Sequence, residues 1–72
     1  MVDSIEIGAR LTRLRGEKTR EEVAKAVGAS ERAIQSYEIG YRIPRDEMKV
    51  KLARYFGYTV EQIFFAEKVH FE

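Results

Sequence analysis

The sequence predicts an all-α domain of five short helices in which residues 19–40 form two helices joined by a very tight turn. Three observations carry this. Apolar residues recur at spacings of three and four along most of the chain, as they do on one face of a helix. Three capping boxes mark helix starts: Asp3-x-x-Glu6, Thr19-x-x-Glu22 and Thr59-x-x-Gln62. Glycines at 16, 28, 40 and 57 each fall just past a periodic stretch, where helices stop. With 72 residues there is room for one domain, expected over 1–66, and a tail over 67–72.

Each element follows in order. Asp3 or Ser4 caps helix 1, whose stripe is Ile7, Leu11 and Leu14, and Gly16 ends it. Thr19 and Glu22 open helix 2, with Val23, Ala24 and Val27 on one face, and Gly28 closes it. Ser30 caps helix 3, with Ala33, Ile34 and Tyr37 inward, and Gly40 ends it. Only Ala29 lies between that stop and the next cap. Two helices of about two turns each then cannot lie antiparallel and must cross steeply, the geometry of a DNA-binding helix-turn-helix. Pro44 biases Ile43 away from helix. Helix 4 runs from near Asp46 to Tyr55 or Phe56. Its apolar face is Met48, Leu52, Tyr55 and Phe56, with Val50 and Ala53 beside it, and Gly57 stops it. Thr59 caps helix 5, whose Val60, Ile63 and Phe64 face inward.

After helix 5 the pattern changes. Phe65, Glu67, Val69 and Phe71 alternate with Ala66, Lys68, His70 and Glu72, partly a strand-like period of two. Two readings stand. The tail forms a short C-terminal β-strand that pairs with its own copy across a dimer axis. Alternatively it is an ordinary chain end in which Phe65 and Phe71 cover the edge of the core.

Composition narrows the function classes. Hydrophobic residues make up 44%, enough for a core. There is no Cys, so neither disulfides nor thiolate metal sites are available. No apolar run approaches the ~18 residues of a membrane span. The start, MVDSIEIGAR, lacks the basic and apolar regions of a secretion signal. The single His, His70, sits in the tail, and no glycine-rich phosphate loop or metal-ligand spacing occurs, so the chain reads as no enzyme, with no cofactor and no metal. The net charge of +1 hides an uneven distribution: residues 10–54 hold 12 Lys and Arg against 7 Asp and Glu. That surplus coincides with the two-helix unit and suits a polyanionic partner or a solvated surface.

Over residues 7–65 the chain resembles the lambda-repressor-like family of small DNA-binding domains, the Xre group of bacterial and phage repressors. The matching stretches are LTRLRGEKTREEVAKAVGAS, SERAIQSYEIG, GYRIP and KLARYFGYTVEQIFF. The resemblance implies a five-helix fold that binds double-stranded operator DNA as a homodimer and regulates transcription in the bacterial cytoplasm. It implies that Ser30 lies next to the DNA backbone and that Glu31 and Arg32 point into the major groove. Ser36 follows one turn later, and Gln35 lies nearer the backbone. The chemistry agrees: Arg bonds a guanine edge with two parallel bonds, Gln does so to adenine, and Glu accepts from cytosine. Glu31 has an alternative role, its charge at the helix N-terminus.

Two departures from the family pattern add phosphate candidates. Arg20 stands where Gln is common, poorly placed for the helix dipole and within reach of a phosphate. Tyr41-Arg42 follow Gly40, and Arg45 and Lys49 begin helix 4. Arg10, Arg13 and Lys18 read as solvated, and Glu38 as a partner for Arg10 or Arg13. Tyr58, Phe65, Val69 and Phe71 are the expected dimer interface, since three Phe in eight residues exceed what a terminal helix needs. With no second domain in view, no small-molecule ligand is expected. Two other classes remain, an antitoxin or an anti-repressor acting mainly through a protein partner. A toxin-binding extension is not evident, and Arg20, Arg32, Arg42 and Arg45 count against lost DNA contact.

Overall fold

Asp3 starts the first helix. Its carboxylate accepts the Glu6 amide at 2.8 Å, and α1 runs over Ser4–Arg15. The reciprocal bond of a capping box is not made, because Glu6 turns instead to Arg10, 3.3 Å from its Nε. The computed structural model describes residues 2–71; Met1 and Glu72, at the ends of the expected domain and tail, lie outside the described residues.

Helix α2 spans Arg20–Val27 behind a complete capping box: the Glu22 amide donates to Thr19 Oγ1 and the Thr19 amide to Glu22 Oε1. Gly28 ends it with φ 73°, a left-handed conformation that costs other residues about 1–2 kcal/mol. Helix α3, Glu31–Glu38, begins at Ser30, whose hydroxyl accepts the Ala33 amide. It closes in a Schellman motif, the Tyr41 amide donating to the Ser36 carbonyl and the Gly40 amide to that of Tyr37. Helix α4 is Asp46–Phe56, ended at Gly57.

The fifth element, α5, Glu61–Phe65, differs from the sequence expectation in its winding. The Thr59–Gln62 box forms, but the turn is a π-helix, closed by the Ala66 amide on the Glu61 carbonyl at 2.7 Å. Its exposed carbonyls have a partner from elsewhere. Arg10 Nη1 donates to the carbonyls of Gln62 and Ile63 at 2.9 and 3.3 Å, and Nη2 to that of Glu67 at 3.1 Å. Arg10, read as solvated in the sequence, is therefore buried, a cation capping the end of α5.

The core lies between these elements, with α1 against α3 and α5 and α2 against α3 and α4. Ile7, Leu11, Val23, Ala24, Val27, Ile34, Leu52, Ala53, Ile63 and Phe64 are buried, as the helical spacings predict. Each full-sized apolar side chain contributes about 1.5–3 kcal/mol by leaving water. Val50 is exposed instead, because it lies roughly half a turn around α4 from Leu52. Val2 and Phe71 add to the core from the two ends of the chain.

Residues 66–71 form no strand within the single chain. They return over α1, and Phe71, expected at a dimer interface, is buried edge-on against the Tyr58 ring with centroids 5.0 Å apart. The second tail reading, coverage of the core edge, describes Phe71; Phe65 stays exposed.

Helices α1 and α3 approach each other closely at Gly8. It faces the end of α3, where a Cβ would clash with the Glu38 carbonyl oxygen and stand 2.7 Å from that of Tyr37. Only glycine lets α1 and α3 meet this closely.

Candidate nucleic-acid interface

Three buried side chains set the orientation of α3. Ile34 and Tyr37 anchor its inner face, and Glu38 anchors its end. The Glu38 carboxylate is only 3% exposed. It accepts Arg15 Nε at 2.6 Å and Arg15 Nη2 at 3.1 Å, and Arg20 Nε at 2.9 Å. This corrects the expectation that Glu38 pairs with Arg10 or Arg13. Arg10 is taken by α5, and among the described residues Arg13 reaches only the Phe71 carbonyl, at 3.4 Å. The reason is the tight approach at Gly8, which brings the end of α3 to the junction of α1 and α2, where Arg15 and Arg20 stand. Hydrogen bonding to Glu38, and secondarily its charge, raises the Arg15 pKa above its already high ordinary value against the effect of burial. One carboxylate thereby ties three helices together.

The opposite face of α3 is open. Glu31, Arg32 and Gln35 are exposed and Ser36 is half-buried. Residues i, i+1, i+4 and i+5 share one helical face. Among the described residues none of these four side chains makes a hydrogen bond or ion pair. Ser30, at the head of the helix, has its hydroxyl committed to the cap.

Beyond α3 the chain turns outward. Tyr41 is 79% exposed, the Arg42 guanidinium lies 6.0 Å from the Tyr37 ring centroid, and Arg45 projects at the head of α4. Arg32, Arg42 and Arg45 have no carboxylate within ion-pair distance among the described residues. A groove lined by Tyr37, Arg42, Arg45, Glu47, Met48 and Lys51 runs between α3 and α4. No motif or capping signal in the sequence marks Lys51.

The other two phosphate candidates are differently placed. Arg20 is 35% exposed, with Nε on Glu38 and both Nη groups without a partner among the described residues. Lys49 turns toward α5: its ammonium is 3.4 Å from Asp46 and 5.2 Å from the Phe65 ring centroid, a charge over an aromatic face. On the far side Phe65 and Val50 are exposed, Tyr58 and Val69 half-buried. Among the described residues there is no group of side chains that holds a metal ion, and no helix is long and apolar enough to cross a membrane.

The family model described as helix-turn-helix matches residues 10–63. Among solved structures, the P22 c2 repressor in complex with a synthetic operator is 21% identical. It superposes with a TM-score of 0.79 over 82% of this chain and 92% of that one. The restriction-modification controller protein C.AhdI from Aeromonas hydrophila is 26% identical, with a TM-score of 0.76 over 83% and 94% of the two chains. The SOS-response transcriptional repressor LexA from Eubacterium rectale is 26% identical, with a TM-score of 0.82 over 100% and 82%. A search of curated proteins finds no match.

Proposed function

The chain belongs to the helix-turn-helix family of lambda-repressor-like (Xre) type, and from that premise we propose that it is a sequence-specific, double-stranded DNA-binding regulator of transcription. It acts as a dimeric repressor that reads an inverted-repeat operator with α3 in the major groove. The observation that carries this reading is the face of α3 bearing Glu31, Arg32, Gln35 and Ser36. It is polar and unpartnered, on a helix held rigidly from behind by Glu38, Arg15 and Arg20. A reading head needs that combination, because base contacts discriminate only when their donors are held in register. The names of the similar structures, a repressor on its operator, a controller protein and a transcriptional repressor, support the same role.

In this reading Arg32 bonds a guanine edge, Gln35 an adenine, and Glu31 and Ser36 complete the readout. Ser30, Tyr41, Arg42 and Arg45 hold the flanking backbone. Arg20 presents its free Nη groups to a phosphate while Glu38 holds its Nε. Lys49, held between Asp46 and the Phe65 ring, adds its charge to the same backbone from where it stands. The dimer forms on the face of Phe65, with Tyr58 and Val69 at its edge and Phe71 behind Tyr58. The protein works on DNA in the cytoplasm of a bacterium, from a chromosomal or phage gene.

The test is selection of bound sequences from random duplex DNA at two salt concentrations. The proposal expects an inverted repeat with half-sites one helical turn (~34 Å) apart and a salt slope of about 0.9 per phosphate contacted. Absence of any enriched sequence would transfer the weight to a protein partner, as for an antitoxin or anti-repressor.

A further inference from the structure

Tyr37 is a core residue whose polar end has no partner among the described residues. The residue is 7% exposed and anchors α3 from inside. Its hydroxyl has no hydrogen bond among the described residues, and no fully buried side-chain oxygen lacks one, so this oxygen reaches the surface. Tyr37 lines the groove between α3 and α4. There Arg42 lies over its ring, 6.0 Å from the centroid, and Arg45 and Lys51 line the walls.

The same groove meets the start of α4. Arg45 is the N-cap of that helix but makes no side-chain cap bond, unlike Asp3, Thr19 and Ser30 on α1 to α3. The amides of Asp46, Glu47 and Met48 have no partner among the described residues, the first bonded amide being that of Lys49. The helix dipole adds positive potential there. Two carboxylates oppose it. Asp46 is 3.4 Å from Lys49 and Glu47 is 4.0 Å from Lys51, so each has its own cation.

We infer that Tyr37 is a ligand of one phosphate of the DNA backbone. Its hydroxyl donates a hydrogen bond to a non-bridging oxygen, Arg42 and Arg45 supply charge, and the free amides of α4 face the same anion. The ring holds this donor in the core, so it is fixed in place before DNA arrives. It emerges on the α4 side of α3, away from the face of Glu31 and Arg32, so it senses the backbone and not the bases. This rests on the DNA-binding reading above and adds a neutral contact that composition and charge do not reveal.

The experiment compares the wild-type chain with Tyr37→Phe on the selected operator, after thermal unfolding has established that both are folded. A hydrogen bond to a charged group is the only interaction removed. The expected result is about a tenfold loss of affinity. Sequence preference and salt slope stay the same, because a hydroxyl releases no counterion. Arg42→Ala, in contrast, lowers the slope by about one. Replacing operator phosphates one at a time with methylphosphonate locates the partner: at one position per half-site the substitution weakens wild-type binding and has no further effect on Tyr37→Phe. If Tyr37→Phe does not fold, wild-type chain carrying 3-fluorotyrosine is read by fluorine NMR. Its Tyr37 signal shifts on operator binding and stays unshifted when that phosphate is neutralised. Wild-type binding with Tyr37→Phe within twofold of it, or no phosphate coupled to Tyr37, overturns the inference while leaving the DNA reading intact. A wild-type chain that selects no DNA overturns both.

Discussion

Replacing Glu38 with Gln removes one charge and little volume from the junction that orients α3. The carboxylate is 3% exposed and faces two guanidinium groups, Arg15 through two bonds and Arg20 through one. A neutral amide keeps one acceptor oxygen, and its NH₂ is turned toward one of the two Arg donors. Removing one partner of a fully buried pair costs about 3–5 kcal/mol. Arg15 and Arg20 are 18% and 35% exposed, so water recovers part of that and about 2–3 kcal/mol remains. For a domain of this size the loss lowers the unfolding midpoint by about 10–20 °C. Thermal unfolding by circular dichroism measures it. A double-mutant cycle with Arg15→Ala isolates the pair, with an expected coupling of about 1–3 kcal/mol. A midpoint within about 3 °C of wild type, or a coupling near zero, would refute the assignment of Glu38 as the anchor of α3.

Three further outcomes follow from the packing. Arg10→Ala leaves the carbonyls of Gln62, Ile63 and Glu67 without their donor, so it destabilises the chain by about 2–4 kcal/mol and speeds tryptic cleavage after Lys68 as the tail loosens. Gly8→Ala forces α1 away from the end of α3 and costs about 2–3 kcal/mol, although Ala is the better helix former. Gly28→Ala meets no neighbour within 4 Å and carries only the left-handed backbone cost of about 1–2 kcal/mol, so denaturant unfolding ranks the two in that order. The Arg15 pKa is raised on folding, so its contribution is complete at every pH below its unfolded value and is lost only above that. A pH series between about 7 and 10 therefore shows no step in stability that disappears on Arg15→Ala.

What could be read from the sequence is what local chemistry decides. The Thr19–Glu22 box, the Ser30 cap and the glycine stops act over three to five residues, and each helix start and stop they mark is where the structure has it. The apolar spacings likewise find the core, because burial follows helical periodicity. The unpartnered face of α3 follows from the same periodicity. The partners of the charged residues do not. Arg10 meets carbonyls more than fifty positions away, and Glu38 meets Arg20 across 18 and Arg15 across 23. Those pairs depend on how the helices pack, and packing turns on Gly8, whose small size carries no periodic or capping signal. The same holds for Phe71. Its alternation with polar neighbours fits a strand, but an aromatic residue also satisfies a core that reaches the chain end. The π-helical winding of α5 has no sequence mark, since its carbonyls are capped by Arg10 from another helix.

The central claim is that α3 reads bases through its outer face, with Arg32 at the head of that readout. The measurement that tests it most directly is the full sequence-preference profile of the wild-type chain beside that of Arg32→Ala, taken at one salt concentration. The variant is expected to fold normally and to lose about 1–3 kcal/mol of affinity for the preferred operator. Its preference is expected to disappear at a single base-pair position in each half-site while the others persist. An unchanged profile, or a uniform weakening across all sequences, would contradict it.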